Sequence, residues 1–132
     1  MPCNSLAERL PASALAPRRT GKLPLCERKL IGPRQADDLT RLFKMLASSV
    51  RMRLLHAMER NGELCVTDLA GTIKSSPQAV SNHLQRLVDQ RIVAQRRDGN
   101  FVYYRIADPC VAGLLDLGLC LLEETKRRRT RT

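Results

Sequence analysis

A mainly α-helical fold carrying one small β-hairpin is predicted for this chain of 132 residues, and three observations predict it. Aliphatic residues recur at helical spacing in several separate stretches, most of them preceded by Ser or Pro suited to a helix start. Two runs, IVAQRR and FVYYRI, flank the tight turn Asp98-Gly99-Asn100 and have the character of paired strands. The chain has two Phe, two Tyr and no Trp, so its core must be built from Leu, Val, Ile and Met.

The length allows a single domain with an arm. Residues 1–32 carry Pro at 2, 11, 17 and 24 among Ser, Ala and Arg, and are expected to form a flexible N-terminal arm with at most a short helix. Gly32-Pro33 opens the first helix of the folded part, 33–125. Its stripe is Leu39, Leu42, Phe43 and Leu46. Ser48-Ser49 breaks it, and a second helix with Leu54, Leu55 and Met58 ends at Asn61-Gly62. A short third helix is expected over about 67–73, with Thr67 as its cap and Leu69, Ala70 and Ile73 inward. Ser76 is a natural N-cap and Pro77 a natural first residue for a fourth. Val80, Leu84, Leu87 and Val88 then make its buried stripe, leaving Gln78, Ser81, Asn82, Gln85 and Arg86 outside. After the hairpin, Asp108-Pro109 caps a Leu-rich helix from 109 to about 124, followed by a basic tail, 126–132. The order is α-α-α-α-β-β-α.

The net charge of +10 points toward an anionic partner, and its distribution says where. Residues 33–125 hold twelve basic and eleven acidic side chains, but 74–105 alone stands at +4 while 106–125 stands at −4. The local surplus coincides with the fourth helix and the hairpin. A short helix, a brief turn and a second helix whose outer face bears amides, hydroxyls and one Arg is a helix-turn-helix arrangement. Such side chains read base edges in the major groove of double-stranded DNA, where carboxylates would be repelled. Arg96 and Arg97 beside a Gly turn suit a wing against the backbone. The fold class is therefore a winged helix-turn-helix. The Leu-rich last helix carries more apolar residues than one small core buries, which argues for a homodimer. No apolar run is long enough to cross a bilayer and the N-terminus lacks an export signal, so a cytoplasmic location with no membrane partner is expected. No glycine-rich phosphate loop exists, and Cys65 with His56 or His83 forms no recognisable catalytic neighbourhood, so no enzyme is expected.

The stretches LFKMLASSVRMRLLHAM, ELCVTDLA, SSPQAVSNHLQRLVDQRIVAQRRDGNFVYYRI and the closing Leu-rich helix together resemble the ArsR/SmtB family of metal-sensing winged-helix repressors. The similarity covers about 36–124. It implies a homodimer held by the first and last helices on a palindromic operator and released by an inducer. On this resemblance Ser76, Gln78, Ser81, Asn82, His83 and Arg86 form the DNA-contacting set of the fourth helix, and Arg97 contacts the backbone from the wing. His83, between outward Asn82 and inward Leu84, faces either a phosphate or a neighbouring carbonyl.

The metal-sensing branch of that family carries a box with two cysteines at the start of the third helix. Here Glu63, Leu64, Cys65, Val66, Asp68 and Leu69 match it, while Thr67 stands in place of the second cysteine. A hydroxyl is a poor ligand for a soft ion. Arm cysteines complete such sites in some relatives, which implies Cys26 and then Cys3 as partners of Cys65. A thiolate site of that kind suits As(III), Hg(II), Cd(II) or Pb(II) as inducer, with no organic cofactor. Other relatives place a site on the last helix. Asp108, Cys110 and Glu124 fall on its positions, with Leu121 where a His would stand and Cys120 one residue away. Five cysteines without a regular framework are expected to be reduced thiols, and Cys65 has an alternative reading as a small buried hydrophobe. Two other functions stay open: a thiol-redox-responsive repressor of the same fold, and an architectural DNA-binding protein that senses nothing.

Overall fold

The computed structural model describes residues 23–130. A 3-10 turn at Leu25–Glu27 precedes α1 (Pro33–Leu46), α2 (Ser49–Asn61), β1 (Leu64–Cys65), α3 (Val66–Ile73), α4 (Pro77–Asp89), β2 (Val93–Asp98), β3 (Phe101–Ile106) and α5 (Pro109–Thr130). The helix starts follow local chemistry. Gly32 and Pro33 begin α1. The Ser48 hydroxyl accepts the Arg51 N–H at 3.3 Å to open α2, and the Ser76 hydroxyl accepts the Ala79 N–H at 3.2 Å to open α4. Gly62 (φ 77) ends α2 and Gly99 (φ 62) turns the hairpin, both in the left-handed region that glycine adopts without a Cβ clash.

The core joins α2, α3, α4 and the base of the hairpin. Leu54, Leu55 and Met58 from α2, Leu69 from α3, Val80, Leu84 and Leu87 from α4, and Val93 from β2 are its largest fully buried side chains. Arg53 donates to the Ile73 carbonyl at 3.0 Å, tying the end of α3 to α2. Among the described residues no helix is long and apolar enough to cross a membrane.

Three features differ from the sequence expectation. The sheet has three strands in the order β1-β3-β2, with Leu64 opposite Tyr104 and Cys65 opposite Tyr103. Two residues are too few to show an alternating pattern, and only the free edge of β3 makes them a strand. This pairing also displaces the expected cap of α3. Cys65 is held extended (φ −84, ψ 169) and occupies the N-cap position, so Thr67 lies inside the helix and does not cap it. Finally, α5 runs on to Thr130 and takes in Arg127, Arg128 and Arg129, where basic side chains favour a helix C-terminus.

The long helices at either end bury little. Of α1 only Leu46 is buried, while Leu39 and Phe43 are 43% and 49% exposed. No described residue of α5 is buried, and Leu121 and Leu122 are 66% and 60% exposed. Between α2 and α5 runs an apolar groove of about 340 Å³ lined by Met52, Leu114, Leu115, Leu119 and Leu122, among others.

Because Leu84 has no exposed surface, Leu84→Ala is expected to cost about 2–5 kcal/mol, read as a lower urea midpoint. An unchanged midpoint would show that α4 is not anchored on its aliphatic side.

Candidate nucleic-acid interface and thiol sites

Burial of Val80, Leu84 and Leu87 decides which face of α4 is offered outward. On that face the Gln78 amide donates to the Asn82 side-chain oxygen at 3.3 Å, one helical turn on. The two amides are thus set relative to each other while retaining donors and acceptors for base edges. Ser81 is half-buried, and Ser76 and Arg86 are exposed. The carboxylate of Asp89, at the far end, accepts from Gln85 at 2.9 Å. The surface thus presents amides and hydroxyls near its N-terminal end and keeps its one acid remote.

In the hairpin, successive side chains alternate faces, which separates the two wing arginines. Arg96 lies on the side of Tyr103, its cross-strand neighbour, with its guanidinium 5.0 Å from the ring centroid. It donates to Glu63 at 2.9 Å and lies 3.7 Å from Asp98, and the Glu63 carboxylate in particular raises its pKa. Arg97, opposite Val102, is exposed and has no ion pair among the described residues.

His83 is half-buried and directs its Nδ1 edge inward, away from the amide face. Its Nδ1 lies 3.2 Å from Nη1 of Arg51, and Nε of Arg51 donates to the Met45 carbonyl at 2.6 Å. Sequence reasoning missed Arg51. The signal was present: Arg51, Leu54, Leu55 and Met58 follow the i, i+3, i+4, i+7 spacing of the core stripe, so a cation stands in phase with the apolar face. Arg51 is 9% exposed, the one buried charged residue among those described. Burial first, then the charges of Arg51 and Arg86, lower the His83 pKa below its usual 6.5.

The thiols are dispersed. Cys65, half-buried at the start of α3, donates its S–H to Asp68 Oδ2 at 3.2 Å. Cys110 is exposed and Cys120 half-buried, both free thiols on α5. Cys26 is disulfide-bonded, contrary to the expectation of reduced thiols, because sequence spacing carries no information on which sulfurs meet in space. Cys3 lies outside the described residues. An Asp108 oxygen accepts the Cys110 N–H at 2.8 Å, and Glu124 pairs with Arg127 at 3.5 Å. Among the described residues no three of His, Cys, Asp and Glu are grouped to hold a metal ion.

A capped helix with a paired-amide outer face, packed behind a short helix and followed by a hairpin with a free cation, defines a winged helix-turn-helix DNA-binding protein. The chain belongs to the arsR family of bacterial regulatory proteins, whose family model matches residues 48–95, and is a transcriptional regulator rather than an enzyme. A transcriptional repressor SmtB homolog of Synechocystis sp. is 39% identical over 106 residues, spanning 70% of this chain and 80% of its own length. The crystal structure of the AntR antimony-specific transcriptional repressor matches with a TM-score of 0.70 and 52% identity over 83% of this chain and 99% of that one. The solution structure of a homodimeric winged helix-turn-helix DNA-binding domain from Mycobacterium bovis matches with a TM-score of 0.65 and 30% identity, covering 76% and 95%.

The lowered His83 pKa has a definite sign in stability. The unfolded chain takes up this proton near pH 6.5 and the folded chain only at lower pH, so the contribution is complete above that value and shrinks as pH falls. Between pH 7 and pH 5 the unfolding free energy is expected to fall more steeply in wild type than in His83→Asn, measured by urea titration. Equal slopes would mean that the imidazole is not held neutral by its surroundings.

Proposed function

We propose that this chain is a repressor that binds a palindromic operator as a homodimer and releases it when a soft thiophilic ion binds its cysteines. The outward face of α4 carries the DNA reading: Gln78 and Asn82 joined at 3.3 Å, Ser81 between them, and an aliphatic back that cannot turn outward. Gln78, Ser81, Asn82 and Arg86 contact bases or phosphates, Ser76 lies at the helix N-terminus beside the backbone, and Arg97 holds a phosphate from the wing. Dimerisation is supported by the apolar surface left open on α1 and α5 and by the homodimeric relative from M. bovis.

For the inducer, the relative at 52% identity is described as antimony-specific. Trivalent antimony and arsenic share a preference for thiolates, as do Hg(II), Cd(II) and Pb(II). Cys65 is the first proposed ligand. Its thiol proton, shared with Asp68, is released as the thiolate takes the ion. Cys65 also pairs with Tyr103 in the wing strand β3, so a pull on its sulfur reaches the hairpin. Cys26, once a thiol reductant has opened its disulfide and been oxidised in turn, and Cys3 complete a three-sulfur site. A second reading is favoured by the free thiols of α5. Cys110 and Cys120 are ten residues and about 15 Å apart along one helix, and only an antiparallel partner helix brings one near the other. Asp108 bonds the first turn of α5 from the residue before it and Glu124 pairs within the helix, which weighs against their serving a hard-ion site.

The test is a titration of As(III), Sb(III), Hg(II), Cd(II), Pb(II) and Zn(II) into the protein–operator complex, followed by anisotropy. Cys65→Ser is expected to bind operator normally and lose its response. Loss in Cys110→Ser and Cys120→Ser, with Cys65→Ser unaffected, moves the site to α5. Release by an oxidant without any ion assigns the protein to thiol-redox sensing. Separately, Gln78→Ala/Ser81→Ala/Asn82→Ala is expected to fold normally and lose selective operator capture. Retained selectivity would refute the reading role of α4.

A further inference from the structure

The pair formed by buried Arg51 and half-buried His83 is not accounted for by the reading face, the wing or the thiols. A guanidinium carries only donors, so at 3.2 Å from Arg51 Nη1 the His83 Nδ1 is necessarily the acceptor. The ring proton of the neutral imidazole therefore sits on Nε2. Every buried side-chain nitrogen and oxygen among the described residues has a hydrogen-bond partner, whereas Nε2 of His83 has none, so that N–H opens to solvent. It does so from the DNA-reading helix, one position from the outward amide of Asn82 and three from exposed Arg86.

We infer that His83 donates its Nε2–H to a DNA phosphate, and that Arg51 is a positioning residue that fixes the imidazole in the tautomer and orientation needed to do so. The inference rests on the DNA-binding reading of α4. Arg51 is 9% exposed, and among the described residues no carboxylate pairs with it. Among the described residues its charge is met only by the Met45 carbonyl and the imidazole. A buried cation without a counter-charge is costly, and a phosphate oxygen at Nε2 supplies one through the ring. Among the described residues the charged groups facing His83 are Arg51 from α2 and Arg86 from α4. Both are cations, so they keep the ring neutral and draw an anion toward it. Because Nε of Arg51 also holds the last turn of α1, the same guanidinium fixes the α1–α2 corner relative to the reading helix. Lysine lacks the fork needed to reach both partners.

The test uses the full-length protein with its operator and with a non-specific duplex of equal length. Long-range ¹⁵N–¹H spectra of the imidazole are expected to show the Nε2–H tautomer in the free protein at neutral pH. His83→Asn, which keeps an acceptor near the Nδ1 position but loses the Nε2 donor, is expected to fold and to bind both duplexes about tenfold more weakly. Its salt dependence should match wild type, because a neutral donor displaces no counterion, whereas Arg97→Ala should lower the slope by about 1. Arg51→Lys is expected to mix the two tautomers and to weaken both duplexes alike. Unchanged affinity in His83→Asn overturns the inference, and so does an Nδ1–H or doubly protonated ring in wild type. A loss confined to the operator would make His83 a base reader and overturn it as well. If wild type bound neither duplex, the DNA reading itself would fail. If Arg51→Lys does not fold, the wild-type spectrum and the His83→Asn affinities still decide.

Discussion

The anchoring of one side of α4 is the constraint on which the remaining structure depends. Val80, Leu84 and Leu87 have no exposed surface, and they lock the helix against α2, α3 and the base of the hairpin. A helix fixed on one side has a fixed opposite side. The amides of Gln78 and Asn82 therefore point outward because rotation would expose leucine and valine to water, at roughly 1.5–3 kcal/mol for each side chain. The outward amide face is in this sense a consequence of core packing.

The same anchoring explains why a charge is tolerated in the core. Arg51 stands in phase with the aliphatic stripe of α2 and faces α4, where His83 meets it from the flank of the reading helix. The guanidinium spans three elements: it bonds the end of α1, belongs to α2 and holds a side chain of α4. A leucine at this position would fill space without fixing the direction of the imidazole. The wing uses a comparable device. Glu63, just before β1, holds Arg96 at 2.9 Å, and the β1 residue Cys65 pairs with Tyr103. The thiol box and the wing are thereby parts of one small sheet, giving an event at the sulfur a short physical route to the hairpin.

The two end helices follow a different logic. Leu39 and Phe43 on α1 and Leu117, Leu119, Leu121 and Leu122 on α5 are too exposed for a chain that stays alone in water. A helix rich in leucine with no buried residue is half of an interface, and the free thiols Cys110 and Cys120 lie on it. Whatever occupies that surface also decides what surrounds those sulfurs. The amide face of α4, by contrast, is set by packing within one chain.

Much was legible in the sequence because it is encoded locally. The helix start at Ser76, the break at Ser48-Ser49, the turn at Gly99, the aliphatic stripes of α2 and α4 and the outward set of Gln78, Ser81 and Asn82 all follow from spacing and from the preferences of single residues. The order of elements follows with them. Local pattern did not reveal β1, because two residues become a strand only when another strand offers an edge. It misplaced the cap of α3 for the same reason, and it stopped α5 short because a basic run looks alike whether solvated or helical. Nor did it separate Arg96 from Arg97, or find Arg51 beneath His83. Those features are contacts between residues far apart in the chain, and the free energy that selects them exists only once the chain has brought the partners within a few ångströms of each other.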